Sequence, residues 1–247
     1  MRFNPCLLIP HYNHHQLVGQ VIEKLKGLKL PLILVDDGSS RESFYSVQRM
    51  VVDQSWIKLL HHASNRGKGA AILTGLRYAH RFSYTHVVQI DADGQHNCDD
   101  IPRLLALARQ SPESIISGFP IFGKDMPRSR YYGRLITHLL VIVETLSLSV
   151  RDSMCGFRVY PVELTNSLFD KYFIGARMDF DTEVMVKANW SGTTILYLPT
   201  PVVYPKSGIS HFHYIHDNIF MIRMHCRLLL GMLFRLPYLI RRRNSVN

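Results

Sequence analysis

The chain has 247 residues, 47% of them apolar, and a formal charge of +10 from 29 Lys and Arg against 19 Asp and Glu. That length suits one large domain, or a domain with an appendage, and the apolar share supplies a core and excludes a disordered chain. Cys6, Cys98, Cys155 and Cys226 lie scattered without a CxxC pair, which speaks against a structural zinc site or a disulfide framework and fits a reducing cytoplasm. The sequence has neither a signal-peptide apolar region nor an uncharged apolar window of about 18 residues. The basic surplus suits nucleic acid, anionic lipid or phosphorylated substrates and does not choose among them.

The first two thirds alternate between short apolar runs and helical patterns. Runs at 6–10, 32–35, 57–60, around 87–90 and at 114–117 predict strands. Helical spacing at 17–28, 42–52, 69–81 and 101–108 separates them. Such alternation means an α/β fold with a mostly parallel sheet. In open sheets of this kind ligands bind beyond the carboxyl ends of the strands. His11-Tyr12-Asn13, Asp36-Asp37-Gly38-Ser39 and Asp91-Ala92-Asp93 therefore share one rim.

The stretch VVQIDADGQH at 87–96 organises the rest. Its apolar run stops at Asp91, and strand alternation sends the Asp91 and Asp93 side chains the same way, with small Ala92 between them. Two converging carboxylates repel unless a cation sits with them. Mg²⁺ or Mn²⁺ fits, since such ions take one or two protein carboxylates and complete their shell with substrate phosphates and water. The Gln95 carbonyl is a candidate third ligand, and an acidic helix-capping turn is the bland alternative. Asp36 or Asp37 can accept from a base or a ribose, or cap a helix opened by Ser39 or Ser40. Asn65-Arg66-Gly67-Lys68-Gly69 is a glycine-flanked basic turn before a helix, suited to a phosphate.

The order IPHYNH, VDDGSS, NRGKGAAI, QIDADGQH, DSMCGFRVYP and FDTEVMVKA resembles the inverting family 2 glycosyltransferases of the GT-A fold, over about residues 4–213. The branch it looks most like includes dolichyl- and polyprenyl-phosphate sugar transferases. The resemblance implies a UDP- or GDP-sugar donor among Pro10, Tyr12, Asp36, Asp37 and Lys68. It implies a metal on Asp91, Asp93 and Gln95 beside Ala92, with Arg158 on a loop bordering the acceptor. Cation and basic groups would stabilise charge growing on the β-phosphate. A hydroxyl acceptor needs a base, for which Asp181 is preferred to Glu183; a lipid phosphate is already anionic and needs none.

Two places depart from the family pattern. Ser117-Gly118-Phe119-Pro120 stands where an arginine is common, with Lys124, Arg128 or Arg130 as substitutes. Pro205 stands in the 204–211 loop, where Lys206 and His211 would act on the diphosphate. These departures leave the acceptor open between a polyprenyl phosphate and a lipid or polyene hydroxyl.

Residues 206–243 hold seven Lys and Arg and one acid, Asp217. With bulky apolar residues between them, they predict a basic amphipathic helix over 214–247, broken at Pro237, lying on an anionic membrane surface. The alternative packs that helix on the sheet domain. A second apolar stretch lies at 128–149. The expectation is a transferase domain at 1–213 that is cytoplasmic and peripheral on the inner face of a membrane. A non-catalytic nucleotide-sugar-binding or membrane-binding module is the other reading. No nucleic-acid motif accompanies the charge, so nucleic acid is not an expected partner.

Overall fold

A computed structural model describes residues 2–122, 128–202 and 214–244, with backbone alone at 128–130, 214–217 and 243–244. Seven strands form one sheet: β1 (Pro5–His11), β2 (Leu32–Asp36), β3 (Ile57–His61), β4 (His86–Gln89), β5 (Ile115–Ile121), β6 (Arg158–Pro161) and β7 (Ile195–Pro201). Their spatial order is β3-β2-β1-β4-β6-β5-β7. Only β6 runs antiparallel to its neighbours, β4 and β5. The predicted strands and intervening helices of the first two thirds are all present. This is the doubly wound arrangement that the strand–helix alternation predicts.

Side-chain alternation along each buried strand builds two cores. On one face Cys6 and Leu8 of β1 and Ile33 and Val35 of β2 meet the helices α3 (Lys68–Arg81), α6 (Val162–Lys171) and α7 (Phe180–Trp190). On the other, Leu7, Ile9, Leu32 and Leu34 meet α1 (His15–Lys26), α2 (Arg41–Val51) and α4 (Ile101–Gln110). Ser40 caps α2, its hydroxyl accepting from Ser43 N–H at 3.3 Å.

Two further helices, α5 (Arg128–Thr145) and α8 (Tyr214–Asn244), lie beside one another on the first face. Met224, Leu228, Met232 and Leu239 of α8 are buried in the same core as α3 and α7. Helix α8 does not break at Pro237, contrary to the sequence expectation. Leu236 packs on the core before the proline, while Leu239 and the Arg242–Asn189 hydrogen bonds anchor the chain after it. Those contacts outweigh the roughly 3 kcal/mol an interior proline costs.

The α8 arginines also differ from the expected lipid-facing stripe. Arg227 forks onto Glu183 at 2.6 and 3.0 Å, and Arg235 lies 4.8 Å from the Trp190 ring. The outward surface of α8 carries Ile222, Leu230, Leu233 and 87%-exposed Phe234, with exposed Arg223 and Arg241 among them. Helix α5 adds exposed Tyr132, Leu135, Ile136 and Leu139. His225 and Glu144 tie the two helices together at 2.7 Å. Among the described residues no helix is long and apolar enough to cross a membrane.

Candidate active site

The carboxyl ends of β1, β2 and β4 meet at one rim, where the predicted site residues gather. Pro10 ends in register with Val35, and Tyr12 follows β1, 37% exposed. Asp36 and Asp37 are both buried, and protein groups engage all four of their oxygens. Asp36 faces His11 Nδ1 at 2.9 Å and His61 Nδ1 at 2.8 Å, and accepts from Ser39 N–H at 3.2 Å. Burial alone would raise its carboxyl; the hydrogen bonds from His11, Ser39 and His61 outweigh that and hold it down to about 2. Asp37 meets His62 Nδ1 at 2.7 Å and accepts from the Arg66 and Gly67 amides at 3.0 and 2.7 Å. Asp37 thus folds the basic turn that the sequence marks as a phosphate cradle. Gly67 takes φ 99° there, a value that favours glycine.

That turn delivers Lys68, the first residue of α3, to the centre of the rim. Its Nζ lies 2.7 Å from Asp181 Oδ2 and 2.8 Å from Asp91 Oδ1, and donates to Asp91 Oδ2 at 3.0 Å. Burial disfavours the ammonium, but Asp181 and Asp91 more than compensate and hold it charged. Burial likewise disfavours the Asp91 anion, yet the charges of Lys68 and His96 bring it to about 2. Asp91 and Asp93 lie in a turn past β4, not on the strand itself. Burial and then the Asp91 charge raise the Asp93 carboxyl, and Gln95 N–H donates to Asp93 Oδ1 at 3.0 Å. Ala92 is buried between them. Gly156 lies so close that a Cβ there would sit 2.7 Å from both Asp91 Oδ2 and Lys68 Nζ.

Asp181 is the one of the two predicted base candidates that the structure brings here. It also receives Gln89 Nε2 at 3.4 Å. Glu183, two residues on, is fully buried and turned away, accepting from Gly175 N–H at 2.8 Å and from Arg227. A two-residue step along the first turn of α7 separates their directions by about 200°. Arg158 is on β6 rather than on a loop, and is wholly buried. It donates to Tyr160 Oη, the Asp181 carbonyl and the Ser153 carbonyl at 3.0, 2.9 and 2.8 Å, so it braces Asp181 from beneath. Lys206, His211 and Lys124 lie outside the described residues, as do the side chains of Arg128 and Arg130.

Sequence reasoning missed Gln89, His61, His62 and Gly156. The histidines were visible as strand-end positions, His61 closing β3 and His62 following it. Gln89 sits at the end of an apolar run, where its register with Arg158 is a tertiary fact.

The donor set fits a divalent cation shared with a substrate. Counting histidine as neutral, Lys68 and Arg158 face Asp91, Asp93 and Asp181, an excess of one negative charge. Asp91 Oδ1 is buried and, although close to Lys68, is out of hydrogen-bond alignment. Among the described residues no three His, Cys, Asp or Glu side chains are placed to hold a metal alone. Mg²⁺ or Mn²⁺ on one or two of these carboxylates would draw its remaining ligands from phosphate and water.

A mostly parallel seven-stranded sheet with its acidic rim at the strand ends has the GT-A architecture, and the sequence places the chain in a family. The model of Glycosyl transferase family 2 matches residues 6–172, and the chain belongs to that family. The polyprenyl-phosphate branch noted in the sequence is represented among its relatives. The UDP-N-acetylglucosamine–dolichyl-phosphate N-acetylglucosaminyltransferase of Methanococcus voltae is 25% identical over 225 residues, 83% of this chain and 87% of the relative. The undecaprenyl-phosphate mannosyltransferase of Micrococcus luteus is 23% identical, over 82% of this chain and 85% of its own. In structure, a mannosyltransferase from Pyrobaculum calidifontis solved with GDP-Man and Mn²⁺ matches 84% of this chain and 59% of its own, with a TM-score of 0.57 at 19% identity. That likeness shows the shared fold.

Proposed function

We propose that this glycosyltransferase moves a sugar from a UDP- or GDP-sugar to a lipid phosphate of the polyprenyl class, at a membrane surface. The observation that carries the reading is Lys68 held between Asp91 and Asp181 at the strand-end rim. The names of the curated relatives support the acceptor class.

In the reaction an acceptor phosphate oxygen bonds to the anomeric carbon as the bond from that carbon to the β-phosphate oxygen breaks. The electron pair leaves with the nucleoside diphosphate. A divalent cation on Asp91 and Asp93 would supply charge stabilisation to that leaving group. Lys68 offers the same diphosphate a fixed ammonium at no reorganisation cost. Asp181 is ion-paired with Lys68 and braced by Arg158, an arrangement that positions rather than frees a carboxylate. A phosphate acceptor is already anionic near neutral pH and asks for no base. This favours a lipid phosphate over a lipid hydroxyl. The apolar outer surfaces of α5 and α8 supply a face for a bilayer that holds the acceptor.

The test is calorimetric titration of UDP and GDP, with and without Mn²⁺, into wild type and Asp93→Ala. Metal-dependent binding of one nucleotide, lost in the variant, is the expected result. Folded wild type that binds neither nucleotide refutes the reading.

A further inference from the structure

The N-terminus of α3, which carries Lys68, has no side-chain cap. The first amides of a helix are orphan donors that something must satisfy. Here the partner is a carbonyl from a distant loop: Ala176 O accepts from Gly69 N–H at 2.8 Å and from Ala70 N–H at 3.3 Å. The 173–179 loop interlocks with this helix end. A Cβ at Gly67 would meet Ala176 O at 2.3 Å, and one at Gly69 would meet Gly175 O at 2.8 Å.

The same loop is held from behind by α8. Glu183 accepts from Gly175 N–H, and Arg227 of α8 forks onto that carboxylate. Arg227 also lies 3.7 Å from Asp179 and 4.7 Å from the Phe173 ring, both within the loop. A second strut runs through Arg177, which donates to Asn65 Oδ1 at 3.0 Å and lies 6.0 Å from the Phe220 ring of α8. The loop is thus clamped between α8 and the turn that delivers Lys68.

We propose that Arg227, acting through Glu183, is a positioning residue for Lys68. The Arg227–Glu183 pair fixes Gly175, Gly175 sets the Ala176 carbonyl, and that carbonyl caps the helix end from which Lys68 reaches Asp91 and Asp181. Without the guanidinium, Glu183 is a buried carboxylate whose other cation, Lys187, is 3.8 Å away. A buried charge left unpaired reorganises or takes in water, and Gly175 then loses its fixed acceptor. In this account α8 belongs to the scaffold of the site and is not an appendage.

The binding arm of the test rests on Lys68 contacting a diphosphate; a second arm does not. Native-state hydrogen exchange of the full chain reads the Gly69 and Ala70 amides directly. Arg227→Met is expected to speed their exchange by about tenfold relative to β1 amides, and to weaken nucleotide binding by about tenfold. Arg227→Lys restores part of both. Arg242→Ala, which releases α8 at Asn189 instead, is the control and changes neither. Should Arg227→Met fail to fold, Glu183→Gln carries the same measurements, with a smaller shift because an amide oxygen still serves Gly175. Unchanged Gly69 and Ala70 exchange in a folded Arg227→Met or Glu183→Gln overturns the proposal. Faster exchange in a protein whose wild type binds no nucleotide upholds the clamp and refutes the donor reading instead.

Discussion

Replacing Lys68 with methionine keeps most of the side-chain length and removes the one ammonium that two carboxylates share. The side chains involved are only 13–23% exposed, with contacts of 2.7 and 2.8 Å. Breaking a fully buried pair costs about 3–5 kcal/mol, and partial exposure brings this site to about 2–3 kcal/mol of lost stability. The effect on ligands has opposite signs. A divalent cation about 5 Å from a retained ammonium is repelled by about 7 kcal/mol at an effective dielectric of about 20. Relief of even a fifth of that is about tenfold in affinity. Lys68→Met is therefore expected to bind Mn²⁺ at least about tenfold more tightly in the absence of nucleotide, and to bind UDP or GDP more weakly. Free Mn²⁺ measured by electron paramagnetic resonance, beside calorimetry of the nucleotide, separates the two. If Mn²⁺ and nucleotide affinities fall together, Lys68 is not the competing cation at Asp91 and the charge argument fails.

Gly156→Ala drives a methyl group to within 2.7 Å of Asp91 and Lys68; it is expected to abolish sugar transfer with a small change in thermal midpoint, and Gly156→Ser should do the same. Asp36 gives a pH signature. Its folded pKa is lowered from 3.8 to about 2, so the stabilisation is full above 3.8 and is lost as pH falls through 2. The shift is worth about 2.5 kcal/mol at pH 7 and about half that at pH 3. Urea unfolding of wild type and Asp36→Asn should therefore converge on acidification; a constant gap would contradict the hydrogen-bond account.

The fold and most of the rim were legible because both rest on local patterns. Strand-end positions follow from where apolar runs stop, and the carboxyl-end rule then gathers Asp36, Asp37, Asp91 and Asp93 without any contact information, while the glycine-flanked basic turn marks Lys68. What the sequence hides is which partner each polar group takes. Asp36 and Asp37 read as ligand contacts, yet histidines from β1 and β3 and two turn amides engage them. The family resemblance puts Arg158 on a loop, whereas β6 inserts antiparallel between β4 and β5 and buries it. In FDTEV the sequence already favours Asp181 over Glu183, but only the packing shows that Asp181 takes Lys68 while Glu183 takes Gly175 N–H and Arg227.

Helix α8 shows the limit most clearly. At about 100° per residue, Arg227, Arg235 and Arg242 fall on one stripe beside Met224, Leu228, Met232 and Leu239. Periodicity gives the shared stripe but not whether protein or lipid meets it. The structure turns it inward, onto Glu183, Trp190 and Asn189. Ile222, Leu230, Leu233 and Phe234 are left outside, with Arg223 and Arg241 the exposed cations among the described residues there. Adsorption of this face to a bilayer would then draw mainly on apolar burial, about 25 cal/mol per Å², with about 1 kcal/mol from each outward arginine near anionic lipid. Liposome flotation should accordingly persist, weakened, on neutral phosphatidylcholine vesicles, and should fall sharply in Leu233→Ser/Phe234→Ser on either vesicle type. Flotation that vanishes on neutral vesicles and survives the double substitution would mean that charge, not this apolar face, carries the contact.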